Sequence, residues 1–230
     1  IVGKTLGPAD ARALGRAFGT AVRRQGGKTV CVGYDGRLSG PELERALVEG
    51  LTQSGVDVWR VGRGPTPMLY FATRTFGADG GVMVTGSHNP PDHNGFKMML
   101  GKAPVFGEQI QALARLSAAG DLDSGKGAVA DRPAFDAYVA RLAEDYRGDK
   151  PLHVAWDAGN GAAGEAVVAL TQRLPGRHHL MFTEIDGRFP NHHPDPTEEK
   201  NLADLQKAVR ERGCDLGLAF DGDGDRIGMV

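Results

Sequence analysis

Three aspartates stand two apart in AFDGDGDRIG: Asp221, Asp223 and Asp225, separated by glycines. Carboxylates this close repel one another unless a cation sits among them. A set of oxygen donors suits a hard ion, Mg²⁺ or Ca²⁺. An EF-hand loop does not fit. Its sixth position must be Gly and is Arg226 here, and no twelfth-position Glu follows before Val230. The flanks also read as strands and not as helices, so Mg²⁺ is preferred. Without an ion the same run is a solvated acidic turn. Arg226, beside the carboxylates, would suit a phosphate oxygen.

A second group lies in VTGSHNPPDHNGFKMML, residues 84–100, where Ser87 has His88 beside it and Lys97 ten residues on. A serine hydroxyl is a poor nucleophile unless a base takes its proton. Gly86 permits a tight turn, and Pro90-Pro91 pre-set φ and stiffen the loop. Lys97 sits inside an apolar run, so its ammonium must face a polar cavity or water. The reading without chemistry is a solvated hairpin loop in which Ser87 and Asn89 make turn bonds.

A third loop, DAGNGAAGEA, places Gly159, Gly161 and Gly164 as G-x-G-x-x-G after a strand and at the start of a helix. Glu184 and Asp186 follow where a dinucleotide fold puts its ribose-binding acid. Such matches arise readily in a chain with 34 glycines. The alternative is a tight strand–helix turn packed close to the sheet, with Asp157 or Asn160 capping the helix. His192-His193 in FPNHHPDP has no cysteine near it and would point to opposite faces of a strand. A loop-surface or substrate-side contact is therefore favoured over a metal site.

The elements that must hold these loops alternate. Helical spacing runs over 8–25, 40–55, 66–77, 107–120, 134–146, 161–174 and 201–213. Strand-like runs occupy 29–34, 56–62, 81–84, 96–100, 152–156, 179–185, 215–220 and 227–230. Strands separated by helices give βαβ units. The fold expected is α/β: two consecutive domains with mixed, mostly parallel sheets flanked by helices, 1–130 and 131–230, the second incomplete. The Gly- and Asp-rich stretch 121–133 has no apolar period and is the candidate linker. In open α/β sheets ligands collect at the carboxyl ends of strands, where all three loops sit.

At 230 residues, 40% of them apolar, the chain can bury a sizeable core. A net charge of −2 gives no electrostatic case for nucleic acid or an anionic membrane. No apolar run approaches a bilayer span, and no basic-then-apolar leader opens the chain. Cys31 and Cys214 lie far apart, inside or beside apolar runs. That favours buried, reduced thiols and a cytoplasmic location over a disulfide or metal site. The opening IVGKT, without an initiator Met, and the close at RIGMV inside a strand-like run suggest a piece of a longer protein.

TGSHNPPDHNGFK and AFDGDGDRIG resemble the two signatures of the α-D-phosphohexomutases. YDGRLSGPEL, PTPMLYFA, EIDGRFPNHHPDP and NLADLQKAV extend the resemblance over nearly the whole chain. Within that family the likeness is to the bacterial bifunctional phosphomannomutase/phosphoglucomutases. The resemblance implies an enzyme of four domains, three of them related α/β units, of which this chain matches the first two. It implies that Ser87 carries a phosphoryl group and that Asp221, Asp223 and Asp225 hold Mg²⁺ with a phosphoserine oxygen. Arg226 would steady the phosphate. Lys97, with His88 near it, would be the acid/base partner of the sugar hydroxyl, and Arg37 would lie on the substrate side. The partner is a phosphorylated hexose, mannose or glucose, and the G-x-G-x-x-G binds no dinucleotide. The regions that read the sugar hydroxyls and the distal phosphate, in the family's third and fourth domains, have no match here. The chain alone is therefore expected to fold but to show no useful turnover. A reading of another class is a non-catalytic nucleotide- or metal-binding module.

Overall fold

The computed structural model describes residues 1–148 and 150–230. α1 (Pro8–Arg24) starts with proline in its first turn, where the missing N–H would have had no partner. β1 (Thr29–Tyr34), α2 (Gly40–Gln53), β2 (Asp57–Arg63), α3 (Thr66–Thr75) and β3 (Gly80–Val84) then alternate. β4 (Phe96–Leu100) returns antiparallel to β3, and β5 (Ala103–Pro104) pairs with β4. α4 (Glu108–Ala119) and β6 (Val129–Asp131) complete the unit, and the sheet runs β5-β4-β3-β1-β2-β6.

Successive side chains of a strand point to opposite faces, and both faces of this sheet are covered. Val30, Val32, Val82 and Val84 pack on one side with Phe18, Leu43, Leu47 and Leu51 of α1 and α2. Cys31, Val61 and Met83 pack on the other with Met68, Leu69 and Ala72 of α3. Each buried Val, Leu, Phe or Met side chain among them is worth about 1.5–3 kcal/mol. α1 and α2 cross closely because Gly15 and Gly50 stand at the contact. A Cβ on Gly15 would come within 2.4 Å of the Leu47 carbonyl oxygen.

The second unit contains α5 (Phe135–Glu144), β7 (His153–Asp157), α6 (Gly164–Thr171), β8 (Arg177–Met181), α7 (Ala203–Arg212), β9 (Leu216–Phe220) and β10 (Ile227–Met229). Its sheet runs β10-β9-β7-β8, with β10 antiparallel to β9 and the other pairs parallel. α6 covers Val154 and Trp156 on one face, and Leu205 of α7 covers Ala155 and Ala219 on the other. This order repeats β4-β3-β1-β2 of the first sheet, so the fold is two α/β units of like topology with mixed, mostly parallel sheets. Tyr138 and Val139 of α5 and Ala166 of α6 join the α3 core, which welds the units together.

Two expectations change. The stretch 121–133 is not wholly linker: Val129, Ala130 and Asp131 pair in parallel with Val58, Trp59 and Arg60, so the first sheet keeps them and a boundary at 130/131 cuts β6. Three residues are too few to show a period. The strand expected over 179–185 lies at Arg177–Met181, because Phe182 takes a φ of 53° and ends it. Among the described residues no helix is long and apolar enough to cross a membrane.

Candidate active site

The loop 85–95 joins β3 to β4, and the loop 221–226 joins β9 to β10. Both lie at the carboxyl end of a parallel strand, and they meet between the two units. The Ser87 hydroxyl donates to Asp221 Oδ2 at 3.1 Å and accepts from Lys97 Nζ at 3.3 Å. Lys97, opposite Met83 in β4, reaches across the units and donates to Asp223 Oδ2 at 2.7 Å and to Asp225. A charged residue in an apolar strand is thus accounted for by the carboxylates it faces. Ser87 is buried with a φ of 51°. That left-handed conformation costs a non-glycine residue on the order of 1 kcal/mol, and surrounding contacts must hold it. One of them is the Ser87 N–H bond to Thr85 Oγ1 at 2.8 Å.

The carboxylates fit a hard cation. Oxygens of Asp221, Asp223 and Asp225 all lie within 4.8 Å of one another. Asp221 and Asp223 are fully buried, and Asp223 Oδ1 has no hydrogen-bond partner. An acceptor left unpaired in the interior is costly, and an ion among oxygen-only donors would satisfy it. Burial and the Asp223 charge push Asp221 up to about 6. Burial acts the same way on Asp223, but the Lys97 ammonium and hydrogen bonds from Lys97, Thr66 and Ser87 outweigh it and lower its pKa. Burial opposes the Lys97 charge too. The carboxylates of Asp223 and Asp225 prevail and raise its pKa above that of an ordinary lysine.

The other expected residues have distinct places. His88 Nδ1 bonds Asp195 Oδ2 at 2.8 Å, across the unit boundary. Arg226 is exposed. Its N–H donates to Asp221 Oδ1 at 3.1 Å, and among the described residues its guanidinium makes no hydrogen bond or ion pair. Arg37 departs from the substrate-side expectation. It is only 2% exposed and lies beneath the serine loop, where its guanidinium donates to the carbonyls of Ser87, Asn89, Pro90 and His93. Of the two loop histidines, both partly buried, His192 turns inward and its Nε2 pairs with the buried Asp157 carboxylate at 2.9 Å.

The glycine loop supports the acid loop. A Cβ on Gly161 would stand 2.9 Å from the Gly222 carbonyl oxygen, and one on Gly164 would stand 2.0 Å from that of Thr183. At Gly161, the position that would face a pyrophosphate, backbone of the acid loop stands close instead, whereas the contact at Gly164 is that of any tight strand–helix turn. Asp186 is held by Arg188, and the Glu184 carbonyl accepts from Asn160.

Four residues around the site were not singled out in the sequence. Thr66, at the start of α3, donates its hydroxyl to Asp223 Oδ2 and its N–H to the Asp223 carbonyl at 2.8 Å. Asp195 holds His88, Asp35 faces Arg37, and Phe189 covers the Arg37 guanidinium. The Thr66 and Asp195 contacts span 157 and 107 residues, beyond any local pattern. Asp35 stood two residues from Arg37 in YDGR and was the one within reach.

Comparison with known proteins agrees with both units. Family models for phosphoglucomutase/phosphomannomutase match as alpha/beta/alpha domain I over residues 1–122 and domain II over 136–230. A phosphomannomutase/phosphoglucomutase of Pseudomonas aeruginosa is 46% identical over all 230 residues, which cover 50% of that protein. A phosphoglucomutase of Neisseria meningitidis is 44% identical, again over 100% of this chain and 50% of the relative. The chain thus spans about half the length of these relatives. A crystal structure of a phosphoglucomutase/phosphomannomutase family protein from Burkholderia thailandensis superposes with a TM-score of 0.95 at 47% identity. The match covers 99% of this chain and 52% of that one. A serine loop and a carboxylate loop brought together by two like sheets, and a match that runs through both of them, lead to one assignment: the chain belongs to the phosphoglucomutase/phosphomannomutase family.

Proposed function

We propose that this chain supplies the phosphoryl-carrying and metal-binding part of a phosphohexomutase, which interconverts hexose 1-phosphate and hexose 6-phosphate. Mannose and glucose are the sugars in the names of the relatives. The observation that carries the reading is the Ser87 hydroxyl lying between the Asp221 carboxylate and the Lys97 ammonium, so that two loops from two sheets form one site.

In this reading phospho-Ser87 gives its phosphoryl group to a hydroxyl of the bound sugar monophosphate. The bond between phosphorus and Ser87 Oγ breaks, a bond from phosphorus to the sugar oxygen forms, and the hydroxyl proton leaves to a base. The bisphosphate then returns its other phosphoryl to Ser87. Phosphoryl transfer depends on positioning and charge neutralisation. Asp221, Asp223 and Asp225 would hold Mg²⁺, with a phosphoserine oxygen as a further ligand. When bound it would neutralise charge on the transferring oxygens. Arg226, exposed beside the acid loop, can swing onto a phosphate oxygen. Lys97, the cation nearest Ser87 Oγ, would be the acid/base partner of the sugar hydroxyl, able to shed its own proton once Asp223 and Asp225, which hold its charge here, are turned to a metal, while His88, fixed by Asp195, orients the loop next to it. We place the protein in the cytoplasm, where the free thiols of Cys31 and Cys214 stay reduced. Turnover of a monophosphate is expected only together with regions corresponding to the rest of the relatives' length.

The test is to incubate the chain with Mg²⁺ and a hexose 1,6-bisphosphate and locate the transferred phosphate by mass spectrometry. Phosphate on Ser87, absent from Ser87→Ala, is the expected result. No phosphate, or phosphate on another residue, overturns the assignment.

A further inference from the structure

We propose that Arg37 and Phe189 form a clamp across the two units that holds Ser87 in its reactive position, Arg37 acting as a positioning residue that touches neither substrate nor metal. The proposal rests on the reading of Ser87 as the phosphoryl carrier.

A buried guanidinium needs compensation on every side. Arg37 finds most of it in the serine loop, its Nε alone making no hydrogen bond among the described residues. One terminal nitrogen donates to the carbonyl of Ser87 at 2.9 Å and of Asn89 at 2.6 Å, the other to those of His93 at 2.8 Å and Pro90. Four carbonyls of a single loop therefore converge on one rigid fork, a geometry that a lysine ammonium cannot reproduce. Asp35 balances the charge from below, at 3.4 Å from Nε. The same carboxylate accepts the Gly86 N–H at 3.3 Å and the Arg37 N–H at 2.9 Å. The turn before Ser87 and the carbonyl after it thus hang on one ion pair. This offsets the cost of the positive φ at Ser87.

The remaining face of the guanidinium is closed from the second unit. Phe189 lies 5.3 Å from it, centroid to carbon, and is itself buried with a φ of 50°. Its loop sits down tightly on the Arg37 turn. A Cβ on Gly187 would meet the Gly36 carbonyl oxygen at 2.7 Å and the Arg37 Cα at 2.8 Å. An aromatic face over a desolvated cation is attractive, so seating of the second unit completes the enclosure that fixes the serine loop. This contact is separate from the acid loop. It reaches Ser87 through backbone alone.

The experiment compares Phe189→Leu and Phe189→Tyr with the natural chain, with Arg37→Lys as the more severe variant. Hydrogen exchange is read at the amides of 86–89 and 92–94, and Ser87 phosphorylation by a hexose 1,6-bisphosphate is timed at saturating donor. Removing the ring should speed loop exchange about tenfold and slow phosphorylation by a like factor, in line with a desolvated cation–π contact. The donor concentration for half-maximal rate and the exchange of β1 and β7 should not change. Phe189→Tyr, which keeps a ring face, should restore both. Unchanged loop exchange in Phe189→Leu, exchange that rises equally throughout the chain, or failure of Phe189→Tyr to restore it would overturn the clamp. If the natural chain takes no phosphate, the phosphoryl-carrier reading fails, and loop exchange still decides the clamp.

Discussion

The loop after β3 and the loop after β9 occupy the same place in two sheets of the same strand order, and they are built differently. Each is the turn of an antiparallel hairpin grafted onto a parallel sheet. The serine loop is long, holds Pro90 and Pro91, and is fastened by a buried arginine from its own unit. The acid loop is short, alternates Asp with Gly, and is fastened by Thr66 from the other unit. One loop holds a single hydroxyl in a strained conformation on a rigid frame beneath it. The other needs several carboxylates crowded together, and they persist only with cations and donors around them. Each unit lends the other a part, so neither site is complete in one unit.

That exchange can be broken from either side. The largest effect is expected from Thr66→Val, which removes the donor that orients Asp223 while keeping the shape. Divalent-cation affinity, measured by calorimetry, should fall about 10- to 100-fold, and Thr66→Ser should recover most of it. An unchanged affinity would show that Asp223 is oriented without the Thr66 hydroxyl.

Gly222→Ala tests the closeness of the two loops. Its Cβ would stand 2.4 Å from the Ser87 carbonyl oxygen, backbone against backbone, so one loop must move. A loss of about 1–3 kcal/mol in unfolding free energy is expected, accompanied by slower Ser87 phosphorylation. Full stability with full phosphorylation would mean that the loops are not in contact.

The smallest effect concerns pH. Burial favours the neutral acid of Asp195, but hydrogen bonds from Thr197 and His88 outweigh it and hold the pKa at about 2. A pKa depressed below its unfolded value of about 3.9 adds stability that is present above about pH 4 and lost as pH falls toward 2. After solvent screening this is on the order of 1 kcal/mol. Chemical denaturation of Asp195→Asn between pH 5 and pH 2.5 should show a shallower loss than the natural chain. Equal slopes would remove Asp195 as an anchor of the serine loop.

Much of this was legible in the residues. The strands at 29–34 and 96–100 stand where the residue pattern put them, because each is a mainly apolar run on a covered sheet. Lys97 announced the polar cavity by being charged inside such a run, and the spacing of Asp221, Asp223 and Asp225 announced the carboxylate cluster that the fold draws together. Harder to read was whatever depends on packing between distant segments. Val129–Asp131 is a strand only because β2 offers an edge. The resemblance put Arg37 on the substrate side, and an arginine in a polar turn carries no mark of burial to correct that. Its true place depends on four carbonyls 50 to 56 residues away, and on Phe189 from the other unit. Thr66 and Asp195 were silent for the same reason.

The central claim is that Ser87 and the three aspartates share one site. It is tested most directly by Mg²⁺ affinity, measured by calorimetry on the chain with and without phosphate on Ser87. A phosphoserine adds about two negative charges and three acceptor oxygens beside the carboxylates. The phosphorylated form should therefore bind Mg²⁺ at least about tenfold more tightly. Equal affinity in the two forms would contradict the claim.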